Sequence, residues 1–283
     1  MRTLITGSEG FVGSGLEVED AVMRVDLALG RDILDPAMET MIRRFDPHVV
    51  YHLAAHHYVP WTEEHEQETH MTNGVGTALV LGACGPSLEV FVLASSAAVY
   101  GFSPDPIPED APLAGRSIYA RSKRLAETAL TRFAARAPEV RCVAARLFNI
   151  VGVGDPWPHV LPEIVRNRKD TLKLGNTWPL RDYIHVDDVR EALRFLAQNA
   201  PKRFSAWNVG TGEATSVTML VKMVAERSGV DIKTQTSEER ARSDDGHLVA
   251  DPRALTKLGW SAKRTLTRAI DELLDSEDMS ANA

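Results

Sequence analysis

The stretch Leu4-Ile5-Thr6-Gly7-Ser8-Glu9-Gly10-Phe11-Val12-Gly13 sets a short apolar run directly before three glycines at three-residue intervals. The run reads as a strand and its sequel as the opening of a helix, the context in which a glycine-rich turn binds phosphate. Glycine permits the tight turn and lets backbone N–H groups approach a pyrophosphate at the helix N-terminus. Two further patterns follow in order. Ser95-Ser96-Ala97-Ala98-Val99-Tyr100-Gly101 ends a strand on a hydroxyl, and Tyr119-Ala120-Arg121-Ser122-Lys123 places a Tyr and a Lys one helical turn apart. Together they predict a chain that binds a dinucleotide and moves a hydride and a proton on an alcohol or ketone.

Working outward, apolar runs recur at Thr3–Thr6, Val22–Asp26, Val49–Ala54, Val90–Ser95 and Arg141–Phe148. Segments of helical period lie between most of them, at Met38–Phe45, Gly76–Cys84 and Ala120–Ala137. This alternation reads as βαβ units, hence an α/β fold with a doubly wound parallel sheet. The rhythm breaks after Gly152, where Pro156, Pro158 and Pro162 punctuate the chain and Trp157 and Trp178 appear. A smaller lobe is expected over 153–182 and 213–262. The helix Val186–Asn199 and the strand Ala206–Val209 return to the main sheet, so 183–212 joins 1–152 as the dinucleotide-binding domain. Residues 263–283 are expected to form a C-terminal helix and a frayed tail, acidic and small from Asp275 onward.

The 283 residues are 44% apolar and 25% charged, with a net charge of −7, the composition of a globular chain. No long basic run offsets that charge, which argues against nucleic acid as a partner. No stretch approaches the ~20 apolar residues that span a bilayer, and the N-terminus has no signal-peptide architecture. Cys84 and Cys142 read as buried free thiols. A cytoplasmic protein is expected.

Asp26 ends the second strand, where a carboxylate accepts hydrogen bonds from ribose hydroxyls and repels a 2′-phosphate. It favours NAD over NADP, a preference moderated by Arg24 and Arg31 nearby. The short spacing from Gly13 to Asp26 requires a short intervening helix. On the catalytic side, a free tyrosine has a pKa near 10, too high for a base at neutral pH. A nearby ammonium favours the phenolate. Tyr119 and Lys123, at i and i+4, share one helix face and can reach one pocket. Ser96 can exchange a hydrogen bond with the reacting oxygen. The intervening loop with Pro104, Pro106, Pro108 and Pro112 reads as a wall of the site.

These residues resemble the extended short-chain dehydrogenase/reductase family, in its group of NAD-dependent nucleotide-sugar epimerases, dehydratases and reductases. The resemblance covers nearly the whole chain. It includes Tyr51-His52-Leu53-Ala54-Ala55, Asn73 with Gly76-Thr77, Arg146-Leu147-Phe148-Asn149, Arg181-Asp182-Tyr183-Ile184-His185-Val186-Asp187-Asp188, Asn208-Val209-Gly210 and Leu258-Gly259-Trp260. It implies a Rossmann-type fold whose smaller lobe binds the substrate. Tyr119 would be the base, Lys123 would lower its pKa and hold the nicotinamide ribose, and Ser96 would hold the sugar O4. The cofactor would meet Gly7, Gly10, Phe11, Val12, Gly13 and Asp26. Asp32 and Ile33 would flank adenine, and Leu53, Ala54, Ala55 and Phe148 would line the rest. His56, Asn149, Arg181 and Arg242 would contact the substrate, a nucleotide-diphosphate sugar, with Arg181 on the diphosphate. The usual Arg-x-Gly-Asp pattern reads Arg242-Ser243-Asp244-Asp245 here.

Dehydratases of the family have Thr-Asp-Glu where this chain has Ser96-Ala97-Ala98, and alanines do no proton chemistry. C4 epimerisation and 4-keto reduction remain. Ser-Ser-Ala-Ala-Val-Tyr-Gly and Arg-Asp-Tyr-Ile-His-Val look like the 4-epimerases, whereas the compact stretch Asp26–Pro36 looks like the sugar 4-ketoreductases. The 4-epimerase is the leading reading and an NAD(P)H-dependent 4-ketoreductase the alternative. A dinucleotide-sensing protein without catalysis would be expected to lose the Tyr119–Lys123 pair. His52, His56 and His57, with Tyr58 and Trp61, form a histidine cluster. A metal is not expected there, because no carboxylate or thiolate completes a ligand set; substrate contact by His56 and His57 is. His65 and His70 read as solvated. The resemblance also implies a homodimer through helices near Gly76–Cys84 and Tyr119–Ala135.

Overall fold

A computed structural model describes residues 1–19, 21–237 and 246–281. Strands β1 (Arg2–Thr6), β2 (Ala21–Val25), β3 (Val49–His52), β4 (Val90–Ser96) and β5 (Arg141–Leu147) begin the main sheet. After β6 (Asn149–Val151), β7 (Thr171–Leu174) and β8 (Leu180–His185), β9 (Arg203–Val209) completes it. The sheet has six strands in the order β2-β1-β3-β4-β5-β9, all parallel. Its side chains alternate between two buried faces. Leu4, Val50, Phe91 and Ala144 point into one core, and Ile5, Tyr51, Val92 and Val143 into the other. Burial on both faces is why these strands read as unbroken apolar runs.

Helix α1 (Pro36–Phe45) caps its own N-terminus with Asp35, whose carboxylate accepts from the Ala37 N–H. The short helices α2 (Val59–Glu64) and α3 (Glu66–His70) lead through a π-helical turn, Met71–Val75, into α4 (Gly76–Ala83). The 19-residue α5 (Ile118–Arg136) is capped by Ser117, whose Oγ accepts from the Ala120 N–H. Met38 and Ile42 of α1, Val80 of α4 and Leu130 of α5 cover the first face.

The lobe adds α6 (Val160–Arg166). The chain then returns through α7 (Val186–Asn199), which covers the second face with Val189, Leu193 and Leu196. Beyond β9 come β10 (Ala214–Ser216), α8 (Val217–Ser228), β11 (Lys233–Thr236), α9 (Arg253–Leu258) and α10 (Leu266–Ala281). Strands β10-β8-β6 form one small sheet and β11-β7 another. Leu161 and Ile164 of α6, Leu220 and Val224 of α8, and Ala269 and Ile270 of α10 share the lobe core. Leu255 of α9 and Trp260 pack instead on the second face of the main sheet.

The structure departs from expectation at the glycine turn, the proline-rich loop and the acidic end. The glycine turn does not open an α-helix: a single 3₁₀ turn, Gly13–Gly15, follows, and the chain runs through Leu16 to β2. Leu16 is fully buried in the second core, which ties this short connection to the main sheet. The proline-rich loop does not wall the cleft. Ile107 bridges to Ala250, and its N–H donates to Val249 O, so the loop packs on the segment leading to α9. The acidic end does not fray at Asp275: α10 continues to Ala281, and Arg168 forms an ion pair with Asp278.

Candidate active site

Strand β1 has β2 on one side and β3 on the other, so the chain switches direction there. A crevice at such a switch point, beyond the carboxyl ends of the strands, is where open α/β sheets bind ligands. Here it is a cleft of about 1370 Å³ that continues between the sheet and the lobe.

One wall is backbone. Gly7, Gly10, Phe11, Val12 and Gly13 line it. Gly7 has φ +67, and an added Cβ would lie 2.6 Å from Ala54 N, so only glycine fits where the turn meets the end of β3. A Cβ on Gly13 would meet Ser8 Cα at 2.9 Å. Asp26, just past β2, accepts from the Glu9 N–H at 3.0 Å and the Ala28 N–H at 2.9 Å, tying the loop to the strand end. Asp32 caps the Leu34 N–H at 2.9 Å, and Ile33 is buried beside it. Arg31 also lines this end, with Nη1 donating to Arg24 O. Leu53, Ala54 and Ala55 form the floor. Glycine backbone, a ribose-height carboxylate and an apolar floor fit a dinucleotide.

The other wall is built from side chains of β4 and α5. Ser96 ends β4, and its Oγ caps the Ala98 N–H. Tyr119 and Lys123 project from one face of α5 into the cleft. Lys123 Nζ lies 5.8 Å from the Tyr119 ring centroid and donates to Ala94 O at 2.8 Å. Burial pushes the Tyr119 phenol up to about 12 against the pull of its hydrogen bond with Ser96. Burial draws the Lys123 ammonium down to about 8, opposed by the Glu127 carboxylate one turn further on. Glu127 accepts from Ser95 Oγ and is held by Arg146, whose side chain is 5% exposed.

Asn73, in the π-helical turn, joins α5 to the histidine loop. Its Nδ2 donates to His56 O and Ser122 Oγ, and its Oδ1 accepts from the His56 N–H. His56 and His57 both line the cleft, and burial lowers His57 to about 4. His52 is buried in β3 with its ring nitrogens on Thr6 and Thr77 hydroxyls. His65 is not solvated as expected; it caps α2 four residues after Trp61, and its ring stacks on that indole at 4.1 Å. No cluster of three or more metal-ligating side chains occurs among the described residues.

At the lobe end, Phe148, Asn149 and Arg181 line the cleft. Arg181 donates to Gly246 O at 2.7 Å and packs over the Phe102 ring at 5.0 Å. Arg242 lies outside the described residues. Every other sequence-expected site residue borders this one cleft. The sequence reading missed Asp155 and His159, paired at 2.6 Å, and the stacking of Trp157 on Tyr58 at 4.8 Å. The only local signal was the Asp-x-x-x-His spacing, masked by the prolines between.

A sequence profile of the NAD dependent epimerase/dehydratase family matches residues 3–210. The chain is 29% identical to a UDP-glucose 4-epimerase of Yersinia enterocolitica, over 100% of this chain and 99% of the relative. It is 27% identical to a UDP-glucose 4-epimerase of Corynebacterium glutamicum, over 96% of this chain and 94% of the relative. Among solved structures, MoeE5 in complex with UDP-glucose and NAD superposes with a TM-score of 0.88 at 29% identity, covering 100% of both chains.

Proposed function

The chain belongs to the NAD dependent epimerase/dehydratase family, and from that premise we propose that it is an NAD-dependent 4-epimerase of a nucleotide-diphosphate sugar. The observation that carries this reading is the convergence of Ser96, Tyr119 and Lys123 on one cleft, with alanines at 97 and 98. Elimination of water would need an acid and a base where those alanines stand.

The Gly7–Gly13 loop would hold the pyrophosphate, Asp26 a ribose, and Asp32 with Ile33 the adenine. Lys123 would hold the nicotinamide ribose, and Leu53, Ala54, Ala55 and Phe148 the remaining cofactor surface. Bound NAD supplies the two-electron acceptor for the C4 hydrogen and a positive charge where Tyr119 must ionise. Tyr119 takes the O4 proton while Ser96 orients that oxygen, and the proton returns after the sugar turns its other face. Lys123 stabilises the phenolate. Arg181 grips the diphosphate at a distance, which leaves the hexose free to turn. Asn149 and His56 contact the sugar half of the substrate. The lobe built on α6, α8 and α10 supplies the substrate side. The names of the relatives favour UDP and a hexose of the glucose type.

Met71, Val75, Leu79 and Leu125 are 40–51% exposed along the π-helical turn, α4 and α5, and this face suits a homodimer. Light scattering at twice the monomer mass is the expected result. Free Cys84 and Cys142 favour the cytoplasm.

The test is incubation with UDP-, GDP- and dTDP-hexoses without added reductant, read by the anomeric protons in NMR. The expected result is an equilibrium mixture of C4 epimers. Consumption of NAD(P)H in proportion to a 4-keto-6-deoxy sugar, with no epimers, would make the enzyme the reductase instead.

A further inference from the structure

The glycine loop of this chain has no α-helix behind it, yet a guanidinium sits where the support is missing. Arg190, in the second turn of α7, comes from far along the chain. Its Nε donates to Val12 O at 3.0 Å and its Nη2 to Phe11 O at 2.7 Å. Its Nη1 donates to Asp187 Oδ1 at 2.7 Å, an ion pair in which the Arg190 side chain is 16% exposed. The fit is tight: an added Cβ on Gly15 would lie 2.6 Å from Arg190 Nη1. Leu16 then packs in the same core as Val189 and Leu193 of α7. Helix α7 thus takes the place of the absent first helix.

We infer that Arg190 is a positioning residue for the dinucleotide: it fixes the glycine loop by holding the Phe11 and Val12 carbonyls from beneath. In a planar trans peptide the N–H points opposite the C=O. Pinning those two carbonyls therefore aims the N–H groups of Val12 and Gly13 the other way, and both residues line the cleft. An α-helix would hold such a loop by its own hydrogen-bond ladder. Three residues of 3₁₀ helix supply little of that, and a bidentate guanidinium, neutralised by Asp187, replaces it. A lysine offers one rotatable point charge in place of that planar fork.

The inference rests on the cofactor reading above, and its test separates the two. Arg190→Met, Arg190→Lys and Gly15→Ala are compared with the parent by calorimetric titration with NAD. Amide hydrogen exchange is measured in its absence. Gly15→Ala keeps the arginine and displaces it, so it carries the test if Arg190→Met does not fold. Losing charge-assisted hydrogen bonds to the loop is expected to weaken NAD binding roughly tenfold to a hundredfold in Arg190→Met and Gly15→Ala. Arg190→Lys is expected to recover part of the loss. Exchange should rise at residues 7–16 and stay unchanged in β3, β4 and β5. NAD affinity within twofold of the parent in all three variants would overturn the inference. So would protection lost evenly across the sheet, which would make Arg190 a support of the fold alone. A parent protein that binds no NAD would overturn the cofactor reading, and this inference with it.

Discussion

Two crossovers of the same sheet have been built to opposite specifications. Between β1 and β2 the chain spends three residues on a 3₁₀ turn; between β4 and β5 it builds a 19-residue helix. The first crossover presents backbone to the cleft, and its shape is set by Gly7, Gly13 and a guanidinium from α7. The second presents side chains, and Tyr119 and Lys123 face one pocket only because a helix repeats every 3.6 residues. A wall made of N–H groups can lose its helix if something else fixes its carbonyls. A wall made of a phenol and an ammonium cannot, because their spacing is the helix.

The largest effect is expected at Tyr119. Tyr119→Phe should lower turnover by about 10²–10⁴-fold, the range for a lost acid–base group, while NAD titration stays near the parent value. Loss of NAD binding in parallel would mean that the two walls are not separable. The backbone wall is probed at Asp26, whose carboxylate accepts from Glu9 and Ala28. Asp26→Asn should weaken NAD about tenfold and narrow the preference for NAD over NADP, with turnover at saturating cofactor little changed. Competitive titration of the two dinucleotides measures both effects.

Ser117 sharpens the helical side. Removing its cap with Ser117→Ala should cost about 1 kcal/mol of stability and lower the thermal midpoint. NAD affinity should fall less than in Asp26→Asn, since Ser117 acts on the cleft only through the first turn of α5. The smallest effect follows from two buried histidines, His57 lining the cleft and His52 in β3. Burial lowers His57 to about 4 and His52 to about 3. In the unfolded chain both take up a proton near pH 6.5. Between those values the unfolded state binds more protons, so stability is present above about pH 6.5 and is lost as pH falls through 4. The thermal midpoint should fall over that window, and less steeply in His57→Asn.

The inner strands β1, β3, β4 and β5 were legible because both their faces are buried, which turns them into apolar runs. Helix α7 was legible from end to end, since Asp187 and Asp188 open it. The meeting of Ser96, Tyr119 and Lys123 at one cleft was legible as well, because they sit in short local patterns. What escaped was non-local or carried no sequence signal. The helix expected after the glycine turn rested on the motif's usual context alone, and only Gly13–Gly15 takes helical form, as a 3₁₀ turn. The contacts of Arg190 with Phe11 and Val12 join distant parts of the chain. A π-helical turn at Asn73 has no composition cue. His159 meets Asp155 across a proline-rich loop that reads only as a break.

The most direct test of the account uses the nucleotide hexose that the NMR panel identifies, labelled with deuterium at C4 and supplied without external cofactor. If Tyr119 moves only the O4 proton and the C4 hydrogen stays within the closed cleft, the deuterium will be found at C4 of both epimers after equilibration in ordinary water. Deuterium lost to solvent, or turnover only when NAD(P)H is added in proportion to product, would contradict it.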